Sequence, residues 1–375
     1  MRRKALFVAL VAASLAAGFL SGLPQRAWEA ARLVAVLSGA SPQPAAVALQ
    51  ETAFWSEQGV ERTGLLYRPA NRPAEAGLVL VPGADVAGQQ HPLFVSFAET
   101  LASAGFLVLV PDIETLRQLQ LSASDAQRVA GAVAYLAERP EGREGVVLAA
   151  ISYAVGPAVL AALEPEVSDE VAAVLGIGGY HDSRAAVTFL TTGAYRDPQG
   201  GWQATESANH GRWVFLRANV DLLSSVDDRV LLLEIARVRR SAPNAPVYHL
   251  VDLLGPEGEA VWAVLSNDSP DKVEPLIDAL PPPIRRELTA LSLAERDLSK
   301  LRAELILVHG RDDPILPYTE SRALAAAAPE ASLYVLDSLA HVELDLATVT
   351  DGWRLFSAAW TLLSVRDRLA TGSRG

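Results

Sequence analysis

The chain has 375 residues, of which half are hydrophobic and a fifth are charged, as in a globular protein with a sizeable core. Its formal net charge of −12 argues against a nucleic acid as partner, because phosphate binding needs a clustered basic face. The absence of cysteine excludes disulfides, thiolate metal sites, a cysteine nucleophile and a lipid-modified N-terminal cysteine.

Residues 1–24 have the pattern of an export signal. The basic residues Arg2–Lys4 precede an apolar run from Ala5 to Leu23. This run is near the minimum length for a membrane-spanning helix, and no small-x-small cleavage site follows it. The pattern therefore favours an uncleaved anchor with the bulk of the chain outside the cytoplasm, because basic residues stay inside. The alternative is a cleaved signal peptide and an exported, periplasmic or secreted protein.

Residues 25–49 follow as an amphipathic helix and a linker. The helix is expected to place Trp28, Leu33, Val34 and Leu37 on one side, and a Ser-Pro-Gln-Pro run marks the linker.

From residue 50 onward, short apolar strands alternate with helical segments. The predicted strands are Thr63–Tyr67, Gly77–Val81, Phe106–Val110, Gly145–Ile151, Ala172–Ile177, Ala303–Val308 and Ser332–Leu336. The predicted helices are Pro92–Ala104, Ser122–Ala137, Tyr153–Leu163 and Gly352–Leu369, and the Ser-x-Ser-Asp start of the second supplies capping oxygens. Strands that are apolar on both faces and alternate with helices predict an α/β fold with a mostly parallel, doubly wound sheet.

A long insertion interrupts this rhythm between two parts of the core, residues 50–179 and 303–375. Residues 180–302 are too many for a connecting loop, and they contain helical segments and clustered aromatic side chains. We expect a helical cap over the site. The alternative is an extra layer that contacts no site.

The strongest chemical motif surrounds Ser152. A buried strand ending at Ile151 leads into this serine and then directly into a helix. Such a turn lifts the hydroxyl above the sheet, and it needs small residues two places before and after the serine. Ala150 and Ala154 stand at those positions, where Gly-x-Ser-x-Gly would have glycines. The alternative role for Ser152 is that of a helix N-cap.

A serine nucleophile needs an imidazole base that is oriented by a carboxylate. Asp312 and Asp313 follow the strand that ends at Val308, and His341 follows the strand that ends at Leu336. The chain order is thus serine, aspartate, histidine, each after a strand end, where ligands bind in open α/β sheets.

These motifs resemble those of the α/β-hydrolase superfamily over about residues 50–370. The segment His309-Gly310-x-x-Asp313-x-x-Leu316-Pro317 is similar to the family's acid loop, and the resemblance implies Asp313 as triad acid. Asp312 is then a turn residue and His309 a structural residue of the loop. Asp337 is a weaker candidate for the acid.

The same resemblance implies an oxyanion hole formed by the backbone N–H groups of Tyr153 and Ala84. Ala84 lies in the Pro-Gly-Ala-Asp loop after the strand at Gly77–Val81. Asp85, Tyr180 and His181 stand at strand ends, where a substrate contact is one role and a structural one the alternative.

Neither a metal nor a nucleotide cofactor is expected. The six histidines are scattered, with no pair at i, i+4 around a carboxylate. The run Gly176–Gly179 lacks the spacing and the lysine of a phosphate loop.

The resemblance implies a serine hydrolase that cleaves an ester, or a related acyl bond, through an acyl-enzyme. A peptidase or amidase of the same fold is one alternative. Another is a non-catalytic, membrane-anchored binding protein that has kept the fold, because a fold does not guarantee a function. The expected partners are a small acyl substrate and, through the N-terminal helix, a membrane.

Overall fold

The computed structural model describes most of the chain, namely residues 24–37, 48–57, 59–120, 122–205, 208–337, 339–340, 343–344 and 348–372. The apolar run at Ala5–Leu23 and the predicted base His341 lie outside the described residues.

A mostly parallel sheet of eight strands forms the centre of the fold. Its strands are β1 (Ala48–Glu57), β2 (Val60–Pro69), β3 (Ala76–Val81), β4 (Phe106–Pro111), β5 (Val146–Ile151), β6 (Val171–Ile177), β9 (Glu304–Gly310) and β10 (Ala331–Leu336). Two small hairpins comprise β7 (Ala194–Arg196) with β8 (Trp202–Ala204), and β11 (Leu339–Ala340) with β12 (Glu343–Leu344). The order in the sheet is β1-β2-β4-β3-β5-β6-β9-β10.

The sheet is antiparallel at one edge and parallel elsewhere. The first two neighbour pairs, β1 with β2 and β2 with β4, are antiparallel, and the remaining pairs are parallel. Strands β3 and β4 are buried along their whole length, as expected for parallel strands covered on both faces. Each predicted strand is present. The edge strand β1 was not predicted, because Ala53 is its only buried residue among those whose side chains are described and its apolar pattern is weak.

The helices cover both faces of the sheet. They are α1 (Pro24–Leu37), α2 (Pro92–Ser103), α3 (Glu114–Arg117), α4 (Asp125–Ala137), α5 (Val155–Leu163), α6 (Ser183–Thr192), α7 (Ala208–Asn219), α8 (Val226–Ser241), α9 (Tyr248–Val251), α10 (Pro256–Leu265), α11 (Val273–Ala279), α12 (Pro282–Leu291), α13 (Tyr318–Ala327) and α14 (Val349–Ala370). On one face α4, α5 and α13 form a core with the sheet. On the other face α1, α2 and α14 do so.

The segment between β6 and β9 has a hydrophobic core of its own. Its helices α6 to α12 bury a separate apolar cluster that includes Phe215, Leu232 and Ile284. The prediction of a helical insertion is correct except that the segment also contains the β7–β8 hairpin. Entry and exit lie side by side, because the N–H groups of Leu293 and Ala294 both donate to the carbonyl of His181.

Helix α1 corrects one prediction. Leu33 and Val34 are buried against the core, whereas Trp28 is 57% exposed. The predicted common face was wrong, because residues five apart differ by about 140° around a helix with 3.6 residues per turn. Within the part of the chain that the structure describes, no helix meets the length and hydropathy of a membrane span.

Candidate active site

Ser152 lies on a sharp turn between β5 and α5. Its φ of 56° is in the left-handed region, which is unusual for a residue other than glycine. Such a backbone costs about 1–3 kcal/mol and is found at functional sites when the surroundings enforce it. Ala150 and Ala154, the small residues two places before and after the serine, are both buried. The turn therefore has the geometry of a nucleophile elbow despite its two alanines.

Glycines allow α5 to approach the end of β6. A Cβ added to Gly156 would lie 2.2 Å from the hydroxyl of Tyr180, and one added to Gly179 would lie 2.6 Å from Val155. Gly156 and Gly179 thus allow close packing between α5 and the end of β6.

The side chain of Tyr153 holds the elbow in place through contacts of its hydroxyl group. Its hydroxyl donates to the carbonyl of Ser122 at 3.1 Å and accepts the N–H of Ser122 at 2.9 Å. It also lies 3.4 Å from a carboxylate oxygen of Asp125. Burial raises the pKa of Asp125 to about 6, against hydrogen bonds that lower it. These contacts fix the residue whose backbone N–H is predicted to stabilise an oxyanion.

Tyr180, a predicted substrate contact, packs within the protein. Its ring stacks on that of Tyr153 with centroids 6.4 Å apart, and its hydroxyl donates to the carbonyl of Leu291 at 3.2 Å. Because the side chain is buried and its hydroxyl is engaged, we assign it to the connection between the elbow and the end of the insertion.

The loop after β3 passes beside the serine. A Cβ added to Gly83 would lie 3.5 Å from Cβ of Ser152 and 3.3 Å from the carbonyl oxygen of Ile151. Within the described part of the chain, no hydrogen bond involves the backbone N–H of Ala84. The side chain of Asp85, by contrast, accepts the N–H of Ala87 at 2.7 Å. The structure thus gives Asp85 a role in closing the turn, and Ala84 stays the predicted second donor of the oxyanion hole.

Asp313 is buried in the loop after β9, with 2% of its surface exposed. Its Oδ1 accepts the N–H groups of Ile315 at 2.8 Å and Leu316 at 3.0 Å. Its Oδ2 lies 3.5 Å from Nε2 of His309. The loop therefore orients this carboxylate firmly, whereas the neighbouring Asp312 is exposed.

His309 has the structural role that was predicted. Its Nδ1 lies 2.7 Å from Oγ of Ser321 and its Nε2 lies 3.0 Å from the carbonyl oxygen of Leu316. Both ring nitrogens thus have partners within the protein, which confirms that this histidine stabilises the acid loop.

Asp337 is unsuited to be the triad acid. Its carboxylate is about half exposed and pairs with Arg311 at 2.7 Å and with Arg354 at 3.2 Å. The hydrogen bond from Arg311 is the main cause that lowers its pKa. These contacts favour Asp313 over Asp337.

Leu339, two residues before His341 in the chain, contacts the start of the acid loop. Strand β11 ends one residue before it, and β12 begins two residues after it. A Cβ added to Gly310 would lie 1.8 Å from the carbonyl oxygen of Leu339, so only glycine fits there. Leu339 precedes His341 by two residues, which span at most about 7 Å of chain. The predicted base thus stands close in the chain to a residue that touches the acid loop.

A buried carboxylate that the sequence analysis did not single out follows the acid loop. Oε2 of Glu320 accepts the N–H groups of His181 at 3.0 Å and Asp182 at 2.7 Å. Burial raises the pKa of Glu320 to about 7. His181 is half-buried, and burial lowers its pKa. Glu320 thus ties α13 to the start of the insertion.

A cavity of about 600 Å³ opens between the insertion and α13, away from the serine. It is lined by side chains of α6, the β7–β8 hairpin and α13, among them Tyr195, Trp202 and Glu320. Neither Ser152 nor Asp313 contributes to its wall. Within the described residues, no three His, Asp or Glu side chains converge as metal ligands do.

Comparisons with solved structures found several similar proteins. A Legionella pneumophila protein assigned as a hydrolase is similar with a TM-score of 0.55 and 15% sequence identity, over 89% of this chain and 94% of that one. A 2,6-dihydroxy-pseudo-oxynicotine hydrolase has a TM-score of 0.47 and 14% identity, over 87% of this chain and 70% of that one. The acylaminoacyl peptidase of Pyrococcus horikoshii has a TM-score of 0.47 and 14% identity; 82% of this chain is covered but only 40% of the peptidase.

No protein-family model and no curated protein sequence matches the chain. At 15% identity, the likeness to the Legionella protein shows a shared fold, and the roles of individual residues rest on the geometry described above.

Proposed function

Because the chain has the α/β-hydrolase fold, we propose that it is a serine hydrolase that cleaves an ester bond through an acyl-enzyme. The observation that carries the proposal is the left-handed backbone of Ser152 at the β5–α5 junction, beside the loop that contains Gly83. In the nucleophile elbow of an α/β-hydrolase the serine stands on such a strained strand-to-helix turn, which exposes its hydroxyl above the sheet, whereas a simple helix cap has no need of the strain.

In the proposed mechanism His341 removes the proton from Oγ of Ser152 as Oγ bonds to the ester carbonyl carbon. The resulting oxyanion accepts the N–H groups of Ala84 and Tyr153, each worth about 2.7–4 kcal/mol in such sites. The leaving alcohol takes the proton from His341 as its C–O bond breaks. Water then gives a proton to His341 as its oxygen bonds to the acyl carbon. The bond between that carbon and Oγ of Ser152 breaks, and Oγ takes the proton back from His341, which releases the acid and regenerates the serine.

Asp313 is assigned to orient His341 and to stabilise its protonated form. The assignment is supported by the burial of Asp313 and by the two N–H groups that hold its Oδ1. It is supported further by the contact of Leu339 with Gly310, which joins the loop of the base to that of the acid.

A fluorophosphonate probe tests the proposal, because it reacts only with an activated serine. Wild-type protein should be labelled, Ser152→Ala should not, and Ser241→Ala, which removes an exposed hydroxyl from α8, should be labelled as wild type. Turnover of a short p-nitrophenyl ester should fall in Ser152→Ala by about the 10⁶-fold seen on removing a triad serine from a protease.

Other outcomes distinguish the alternatives. A folded wild-type protein that is not labelled would contradict the proposal and favour the alternative, a non-catalytic binding protein of the same fold. A wild-type protein that is labelled, yet cleaves a p-nitroanilide faster than the matched p-nitrophenyl ester, would indicate an amidase or peptidase instead of an esterase.

We also propose that residues 1–24 anchor the protein in a membrane, with the hydrolase domain outside the cytoplasm. The basic residues Arg2–Lys4 before the apolar run Ala5–Leu23 support this orientation. With a cleaved signal peptide, the same domain would instead be exported.

A further inference from the structure

One side of helix α14 carries a row of apolar side chains that are exposed or only partly buried. Val349, Trp353, Phe356 and Trp360 follow one another at steps of four, three and four residues, so they share one side of the helix. Trp353 is 56% exposed and Val349 is 40% exposed. We call these four residues the aromatic stripe.

The rings of the aromatic stripe are stacked in a row. The centroids of Trp353 and Phe356 are 5.5 Å apart with planes 17° apart, and those of Phe356 and Trp360 are 6.1 Å apart with planes 28° apart. The opposite side of α14 already packs on the sheet through residues such as Leu355 and Leu362. Phe356 still contacts this core, whereas Val349 and Trp353 extend the stripe into solvent. Exposed apolar side chains that are contiguous in this way can mark an interaction site.

The chain enters the fold at one end of the aromatic stripe. The guanidinium of Arg26 in α1 lies 5.0 Å from the ring centroid of Trp360, and it donates to Ser364 and Asp367 on α14. Leu23, the last residue of the apolar run, precedes Arg26 by three residues, which span at most about 11 Å of chain. Helix α1, which directly follows the run Ala5–Leu23 in the chain, therefore begins beside the stripe.

We propose that the aromatic stripe lies in the interfacial zone of the lipid bilayer that holds residues 5–23. Tryptophan is enriched in that zone, because its large ring is apolar and its N–H remains near water. The net charge of −12 disfavours attraction to an anionic surface, so the contact depends on apolar burial and needs no anionic lipid. The proposal rests on the proposed anchor and is independent of the hydrolase activity.

The lack of cysteine provides a direct test. The full-length Trp353→Cys protein can be labelled at a single site with an environment-sensitive fluorophore and reconstituted in phosphatidylcholine vesicles with or without spin-labelled lipid. We expect emission to shift to shorter wavelength in vesicles and to be quenched by the spin-labelled lipid, also at high salt. The matched control is Tyr248→Cys, at an exposed aromatic position of the insertion, where neither change is expected.

Each other result overturns the inference. Protein that does not float with the vesicles would contradict both the anchor and the stripe. Floating protein whose fluorophore is not quenched at residue 353 would contradict the stripe alone. A shift without quenching would show that residues 5–23 or a second copy covers the stripe. Fluorophosphonate labelling of both variants, as in wild type, shows that they are folded, and the fluorescence measurement is repeated with Phe356→Cys. If wild type is not labelled either, the hydrolase proposal fails, while the vesicle results still test the stripe.

Discussion

The elbow of Ser152 and the two loops that follow β9 and β10 are held in different ways. The elbow is fixed by burial: Tyr153 stacks on Tyr180 and is hydrogen-bonded to the backbone of Ser122, while Gly156 admits the Tyr180 ring. Close packing of this kind has few alternatives, because a protein interior has little spare volume. The proposed nucleophile is therefore placed by the core itself.

The two loops are joined mainly at the surface. Asp337 pairs with Arg311 at 2.7 Å and with Arg354 at 3.2 Å, and Arg354 also donates to the carbonyl of Val335 at 2.8 Å. The N–H of Asp337 donates to Oδ1 of Asp351 at 3.0 Å. Exposed ion pairs contribute only about 0–1 kcal/mol each. The loops of the acid and the base therefore depend on weaker contacts, and catalysis should be more sensitive to them than folding is.

Asp313 is the buried exception within these loops, and its loss should have the largest effect. Asp313→Asn should lower kcat by about the 10⁴-fold seen for this change in a serine protease, because the imidazole loses its charged partner. Steady-state kinetics on a p-nitrophenyl ester measure this, and Asp312→Asn, at the exposed neighbour, should stay near wild type. Equal losses in the two variants would show that Asp313 is not the triad acid.

The pH dependence of stability should show that Asp125 is buried beside the elbow. Burial raises its pKa in the folded protein to about 6 from the ordinary 3.8, so the folded state retains the proton more strongly than the unfolded state does. Stability should therefore fall as the pH rises through that window, by about 3 kcal/mol in total. Asp125→Asn cannot ionise and should lose this fall.

The measurement is urea denaturation of wild type and Asp125→Asn between pH 4 and pH 7. The difference in free energy of unfolding between the two proteins should change by about 3 kcal/mol across that range. Asp312→Asn is again the control, because it removes an exposed carboxylate. Parallel curves for wild type and Asp125→Asn would show that the elbow does not bury a titrating group.

Asp337 should give the smallest effect, confined to catalysis. Asp337→Asn removes two exposed ion pairs and should lower kcat a few-fold with little change in KM or in Tm, because such pairs add little stability. Salt screens these pairs, so the variant should also lose part of the salt dependence of kcat. Glu234→Gln, which breaks an exposed ion pair with Arg237 on α8, is the matched control. A large drop in Tm with kcat unchanged would show that these ion pairs stabilise the fold and do not affect catalysis, which would contradict the proposed difference between the elbow and the loops.

The sequence predicts the elements that depend on local pattern. Continuous apolar runs identify the central strands, and the abrupt change from strand to helix at Ser152 identifies the elbow even with alanines at the usual glycine positions. The acid loop and the structural role of His309 are inferred from the resemblance of residues 309–317 to the motif of the α/β-hydrolase superfamily, whose residues are close together in the chain.

What the sequence does not predict depends on contacts between distant residues. Asp125 stands in a Ser-x-Ser-Asp start that predicts helix capping, yet Ser124 makes no side-chain cap and Asp125 instead lies buried near Tyr153. Glu320 has the pattern of an ordinary first-turn glutamate, and only the folded chain shows that it receives the backbone of His181 and Asp182. No local signal distinguishes these carboxylates from exposed ones.

At Ser152 the left-handed backbone lowers the stability of the fold, while the hydroxyl is needed for the proposed activity. Glycine there would relax the backbone at little steric cost, but it would also remove the hydroxyl. A search for more heat-resistant variants that ignored activity would therefore tend to select against the nucleophile. Persistence of serine at this place in related sequences would be a sign that the chemistry, and not the durability of the fold, has been preserved.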